Sequence, residues 1–205
     1  TAFAFSTPAP FIERRSGRSP RSSQLPAVSR SSNSRGDGSP TLRISRATSV
    51  ELLLMSDLVL LVQIASTCLL TGLIWTIQVV HYPLFADVGQ ETFTDYQAKH
   101  ARRITVVVGP LMLIEASTAL AMVTFHPAVV PDWIPWTGLA LVAVIWSSTA
   151  LIQVPCHARL TAGFDLAAYR RLVRSNWIRT AAWTARATVL LWAGWLALQR
   201  GTVQI

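Results

Sequence analysis

Four apolar runs dominate the chain: Leu58 to Val80, Ile104 to Phe125, Ile134 to Val154 and Thr180 to Gln199. Each is close to the ~20 residues that an α-helix needs to cross a hydrocarbon core of roughly 30 Å. The first and third runs hold no charged residue, the second holds Glu115, and the fourth holds Arg186. Helices of a soluble bundle need polar faces, and these runs show little polar periodicity. The pattern predicts an all-α fold: a bundle of four transmembrane helices arranged as two sequential hairpins.

Composition supports a division of the chain. It is 51% hydrophobic, with mean hydropathy +0.40, yet its formal net charge is +8. The charge and the apolar content lie in different places. Residues 1–54 form an extension rich in Arg, Ser and Pro up to Ser49, and residues 55–205 form the four-helix membrane domain. The extension has too little apolar surface to offset the entropy of ordering it, so disorder is expected there. Three explanations for it stand open. It reads as an Arg- and Ser-rich, acid-poor transit segment, as a disordered tail that binds anionic lipid or nucleic acid, or as upstream sequence ahead of a start at Met55, directly before the first helix.

Helix breakers and charge set the expected topology. Pro83 follows the first run, Pro127, Pro131 and Pro135 crowd the second connection, and Pro155 closes the third run. Pro110 lies inside the second run, where membrane helices tolerate proline. Loops 81–103 and 155–179 carry Lys99, Arg102, Arg103, Arg159, Arg170, Arg171, Arg174 and Arg179, whereas the second connection carries no Lys or Arg. The positive-inside rule places those two loops in the cytoplasm, in a plasma, inner or organelle membrane. The eight arginines of the extension, Arg14 through Arg46, oppose that assignment. Cys68 and Cys156 differ in depth by about 18 Å, too far for a disulfide, so two free thiols are expected.

The two halves echo one another. Helix one ends Gln78-Val79-Val80-His81-Tyr82-Pro83, and helix three ends Gln153-Val154-Pro155-Cys156-His157. The following loops contain Phe93, Tyr96, His100 and Arg103 in one half and Phe164, Tyr169, Asn176 and Arg179 in the other. Two hairpins of one plan would gather Gln78, His100, Arg103, Gln153 and Asn176 into a polar cytoplasmic cap.

These segments carry a family resemblance. Thr71 through Pro83, Val154-Pro155-Cys156-His157-Ala158-Arg159-Leu160, and Asn176-Trp177-Ile178-Arg179-Thr180 resemble the anthrone-oxygenase-like family of small four-helix membrane proteins. The likeness covers about Leu58 to Gln199. It implies a four-helix membrane fold and, for some members, oxidation of polyketide anthrones to anthraquinones. His157 stands where the family motif has Asn, and the order of Trp and Asn before helix four differs.

Candidate residues follow from chemistry and depth. His81, His100 and His157 suit acid–base work or metal ligation, while a His at a helix C-terminus also caps carbonyls. Glu115 and Arg186 are ionisable groups well inside the runs, where charges face the bundle interior and pair. They differ in depth by about 8 Å, within reach of two extended side chains. His81, His157, Glu115 and Arg179 are therefore the candidate catalytic residues, with Glu115 and Arg186 as a structural polar pair. Arg170, Arg171 and Arg174 lie in an expected interfacial helix from Asp165 to Asn176, suited to anionic lipid headgroups. No cofactor and no metal site is predicted, nucleic acid is not an expected partner, and a homo-oligomer fits a bundle this small. Phosphate loops, zinc-finger spacings and nucleophile elbows do not occur.

Three functions fit: a non-catalytic membrane bundle of undetermined activity, a membrane oxidoreductase acting on a lipophilic aromatic substrate, and a small proton-coupled carrier. The first predicts a filled interior. The second predicts an apolar cavity ending in His, Asn and Arg. The third draws on Glu115 and the hairpin echo.

Overall fold

The computed structural model describes residues 40–202, with side chains from 49 to 200. Those residues are helical throughout apart from short connections. The elements are α1 (Pro40–Thr76), α2 (Gln90–Met122), α3 (Trp133–Ser148), α4 (Val154–Ala162) and α5 (Leu166–Thr202). A π-helical turn, Ile77–His81, and a 3₁₀ turn, Pro83–Asp87, extend α1. A second π turn, Thr149–Gln153, joins α3 to α4 without a break. The result is four long helical columns.

Their packing order is a ring. α1 lies between α2 and α5, and α3 packs on α2 and α5 from the other side. Two buried apolar clusters fill the interior. One holds Leu70, Ile74, Phe85, Phe93, Ile145, Leu160, Leu172 and Trp183. The other holds Leu60, Met122, Val130, Ile134, Leu190 and Ala193. The outer surface is also apolar: Leu61, Leu120, Leu151 and Leu198 are each more than 60% exposed. Three helical stretches, Ser49–Asp87, Gln90–Met122 and Trp133–Ala162, are long and apolar enough to cross a membrane. α5 is long enough, but Arg186 and its threonines leave it less apolar than the other three.

Several boundaries differ from the sequence reading. The segment 40–54, assigned to a disordered extension, is helical as the start of α1, with Pro40 at its first position. Proline fits there because the first helical N–H has no partner to lose. Residues 1–39 of that extension lie outside the described residues. The second helix starts at Gln90 instead of residue 104, because its polar first turns continue the same coil. Pro155 does not end the third helix, and Asp165 to Asn176 is not a separate interfacial helix but the first turns of α5. Gly163, at φ 157°, a conformation that L side chains rarely adopt, makes the turn between α4 and α5.

The π turns explain how the helices pass the prolines. A proline ring clashes with the carbonyl four residues before it. For Pro83 that residue is Val79, and for Pro155 it is Leu151. Both lie inside the π turns, where the wider coil opens the crowded site. Each π turn ends two residues before its proline, so the echo between the halves has a structural counterpart.

Candidate functional site

Two polar layers cross the ring, and α5 supplies an arginine to each. Glu115 of α2 is completely buried in the first. Arg186 Nε donates to Glu115 Oε1 at 3.1 Å, and Trp183 Nε1 donates to both carboxylate oxygens at 3.1 Å. Thr67 of α1 donates its hydroxyl to Glu115 Oε1 at 3.0 Å and accepts from Arg186 Nη2 at 3.4 Å. Arg186 Nη1 donates to the Gly138 carbonyl of α3. Gln63 completes the layer through Thr67 and Thr118. All four columns therefore meet at one saturated ion pair, as a buried pair requires if its desolvation is to be offset. A void of about 10 Å³ lies beside it.

The second layer lies at the histidine end. Gln78 Nε2 donates to Val173 O at 3.3 Å and Gln78 Oε1 accepts from Asn176 Nδ2 at 2.8 Å. Gln153 Nε2 donates to Ser175 Oγ at 3.2 Å and Gln153 Oε1 accepts from Ser148 Oγ at 3.1 Å. Both π turns are thus tied to one turn of α5. Beyond them, His81 Nε2 and His100 Nδ1 lie 2.8 Å apart. Neutral imidazoles bond this way only if one donates and the other accepts. Gln97 Nε2 donates to His157 Nδ1 at 2.7 Å, which fixes the Nε2–H tautomer of His157. That N–H meets the Tyr82 oxygen at 3.2 Å and leaves the Tyr82 hydroxyl proton free to donate elsewhere. The His100 and His157 ring centroids are 5.7 Å apart.

A cavity of about 340 Å³ opens beside this layer, between α2 and the α3–α4 column. Ile104, Val108 and Met112 make its walls, and exposed Leu113, Trp146 and Val154 border it. Tyr82, His100, Gln153, His157 and Arg179 form its polar end. Arg179 is only 6% exposed. Its guanidinium stands 5.2 Å from the centroid of the Trp183 ring, and its Nε has no hydrogen-bond partner among the described residues.

The structure brings together His81, His100, His157 and Arg179 at this end, and Glu115 with Arg186 in the other layer. Glu115 and Arg179 do not share a site. Arg103 is exposed on α2 and does not line the cavity at Arg179, and Asn176 is buried against Gln78 without lining it either. Sequence reasoning missed Tyr82, Gln97, Thr67 and Trp183. Trp183 had a signal: it falls four residues after Arg179 and three before Arg186, on their face of the helix. Cys68 and Cys156 are free. Among the described residues, no group of three or more His, Cys, Asp or Glu side chains is placed to hold a metal ion. Comparison with protein-family models, curated proteins and solved structures gave no match.

Proposed function

We propose that this chain is a four-span membrane protein that admits a lipophilic molecule from the bilayer into the cavity between α2 and α3. The observation that carries the reading is Arg179, a buried cation without a carboxylate partner at the end of an apolar, laterally open cavity. A desolvated guanidinium calls for a counter-charge, and the nearest buried carboxylate, Glu115, already serves Arg186. A ligand with an apolar body and an oxyanion at one end supplies it. α5 counts as the fourth span because Leu191, Trp192, Trp195 and Leu198 are exposed beside the lipid-facing faces of its neighbours. The loops around Lys99 and Arg171 are assigned to the cytoplasm, with Arg170, Arg171 and Arg174 on anionic headgroups.

The reaction class that suits this end is oxidation of an anthrone-type aromatic ketone. The Tyr82 hydroxyl and the Arg179 guanidinium would stabilise the enolate oxygen, and His100, whose Nε2 is not engaged by His81, would take the proton from the ring CH₂. Dioxygen is the co-reactant: the CH₂ loses two hydrogens and gains one oxygen as a carbonyl, and the second oxygen leaves as water. A non-catalytic bundle would have a filled interior throughout, which holds at Glu115 but not at Arg179.

The test uses the purified chain in lipid nanodiscs with anthrone under air. Saturable binding and faster anthraquinone formation than in empty nanodiscs, both lost in Met112→Trp, are the expected results. Partitioning and conversion equal to those of empty nanodiscs would reject the proposal.

A further inference from the structure

A second cavity adjoins the first along α2, and the two share Ile77, His100 and Ile104. It is a groove of about 450 Å³ between α1 and α2. Its inner stretch is apolar, from Leu73, Ile77, Ile104 and Val107. At its outer end stand Lys99 and Arg103, with His81 and His100 also lining it. No carboxylate lines it. Lys99 bonds Asp95 at 2.5 Å on the exposed helix surface, and Arg103 makes no ion pair among the described residues. Arg103 directly precedes the second apolar run, so a bilayer fitted to that run would have its headgroups near this residue.

We infer that this groove binds an anionic phospholipid, with the phosphate on Arg103 and Lys99 and the first part of an acyl chain along Ile77, Ile104 and Val107. Charge complementarity selects the headgroup, since the groove offers cations and imidazoles and no acid. Length selects the tail. From Lys99 to Val107 the groove follows α2 for about 12 Å, which holds a phosphate, the glycerol and several methylenes. A free phosphate would use the cations and leave the apolar stretch empty. The site is separate from the Arg170, Arg171 and Arg174 group, which lines a different concavity on α5. His100 lines both this groove and the cavity that ends at Arg179, and bonds His81 at 2.8 Å. A bound headgroup would therefore stand against the same imidazole pair that borders the larger cavity.

The experiment is native mass spectrometry of the full chain in detergent, with phosphatidylglycerol and phosphatidylcholine at equal concentration. The expected result is preferential retention of phosphatidylglycerol. Arg103→Gln is expected to weaken it roughly fivefold, the worth of one headgroup cation. Arg103→Lys keeps most of the preference, and Val107→Trp, which fills the apolar stretch without changing charge, abolishes it. Equal retention of the two lipids overturns the inference. So does phosphatidylglycerol binding lost in an Arg170→Gln, Arg171→Gln, Arg174→Gln variant but not in Arg103→Gln. Glycerol phosphate that displaces the lipid at equal concentration also overturns it, because the tail then contributes nothing. The inference rests on the chain being membrane-embedded. Release by alkaline carbonate would mark failure of that reading, whereas a retained chain without lipid preference marks failure of the groove alone.

Discussion

Arg179 and Arg186 stand seven residues apart on one face of α5, and both are buried. Arg186 bonds a carboxylate, a carbonyl and a hydroxyl from three other columns, beside a void of about 10 Å³. Arg179 lies beside Trp183, with an unpartnered Nε, at the end of a cavity of about 340 Å³. Trp183 touches both settings: its indole N–H serves Glu115 and its ring meets Arg179. Buried charge alone therefore does not mark a functional site. A charge whose partners all come from the protein fastens the bundle, and a charge left without one beside open volume is available to a ligand.

The largest expected effect tests the fastened half. Glu115→Gln leaves Arg186 buried without its counter-charge and should destabilise the chain by about 3 kcal/mol in detergent. Adding Arg186→Met should recover part of that loss, because no charge is then stranded. Thermal unfolding of the two single variants and the double variant completes the cycle. Strictly additive losses would show that the carboxylate and guanidinium do not support one another.

Arg179→Met is the matching test of the open half, and it should separate binding from folding. Loss of a charge-assisted hydrogen bond of about 1.5–3 kcal/mol predicts ten- to a hundredfold weaker ligand binding. The melting temperature should hold or rise, since a buried cation without a partner is removed. A melting loss as large as that of Glu115→Gln would make Arg179 a second fastening and remove the contrast.

The sequence made one half of this contrast legible and concealed the other. Glu115 and Arg186 interrupt uncharged runs at compatible depths, so their meeting follows from helix rise and the cost of lone charge in lipid. Arg179 and Arg103 both border a run, and nothing in one dimension says that one is buried and the other exposed. The four columns were visible as apolar length. Their ends were not, because polar first turns in α2 and α5 continue a helix that hydropathy alone ends early. The passage through Pro155 was also hidden, since proline usually stops a helix and the π turn that relieves its clash has no residue signature. Thr67 and Gln97 gave no signal, being neutral polar residues of ordinary type that gain meaning only from their partners.

The smallest effect sharpens the comparison by making one change in both places. Ile134 is fully buried beside Arg186, and Ile104 is a partly buried wall of the cavity at Arg179. Ile→Val removes one methylene, which in a filled core costs about 0.5–1.5 kcal/mol. Ile134→Val should lie within that range, because Ile134 shares a buried cluster with Leu60, Met122 and Leu190 of the three other columns. Ile104→Val should cost less than about 0.5 kcal/mol, since the methylene borders open volume and forfeits fewer contacts. Thermal unfolding under identical detergent conditions measures both. With bound ligand the order should narrow, because a molecule in the cavity gives Ile104 the contacts it lacks when the cavity is empty. Equal costs without ligand would mean that the α2–α3 cavity is as tightly filled in solution as the ion-pair layer, and the case for Arg179 as a ligand site would lose its volume.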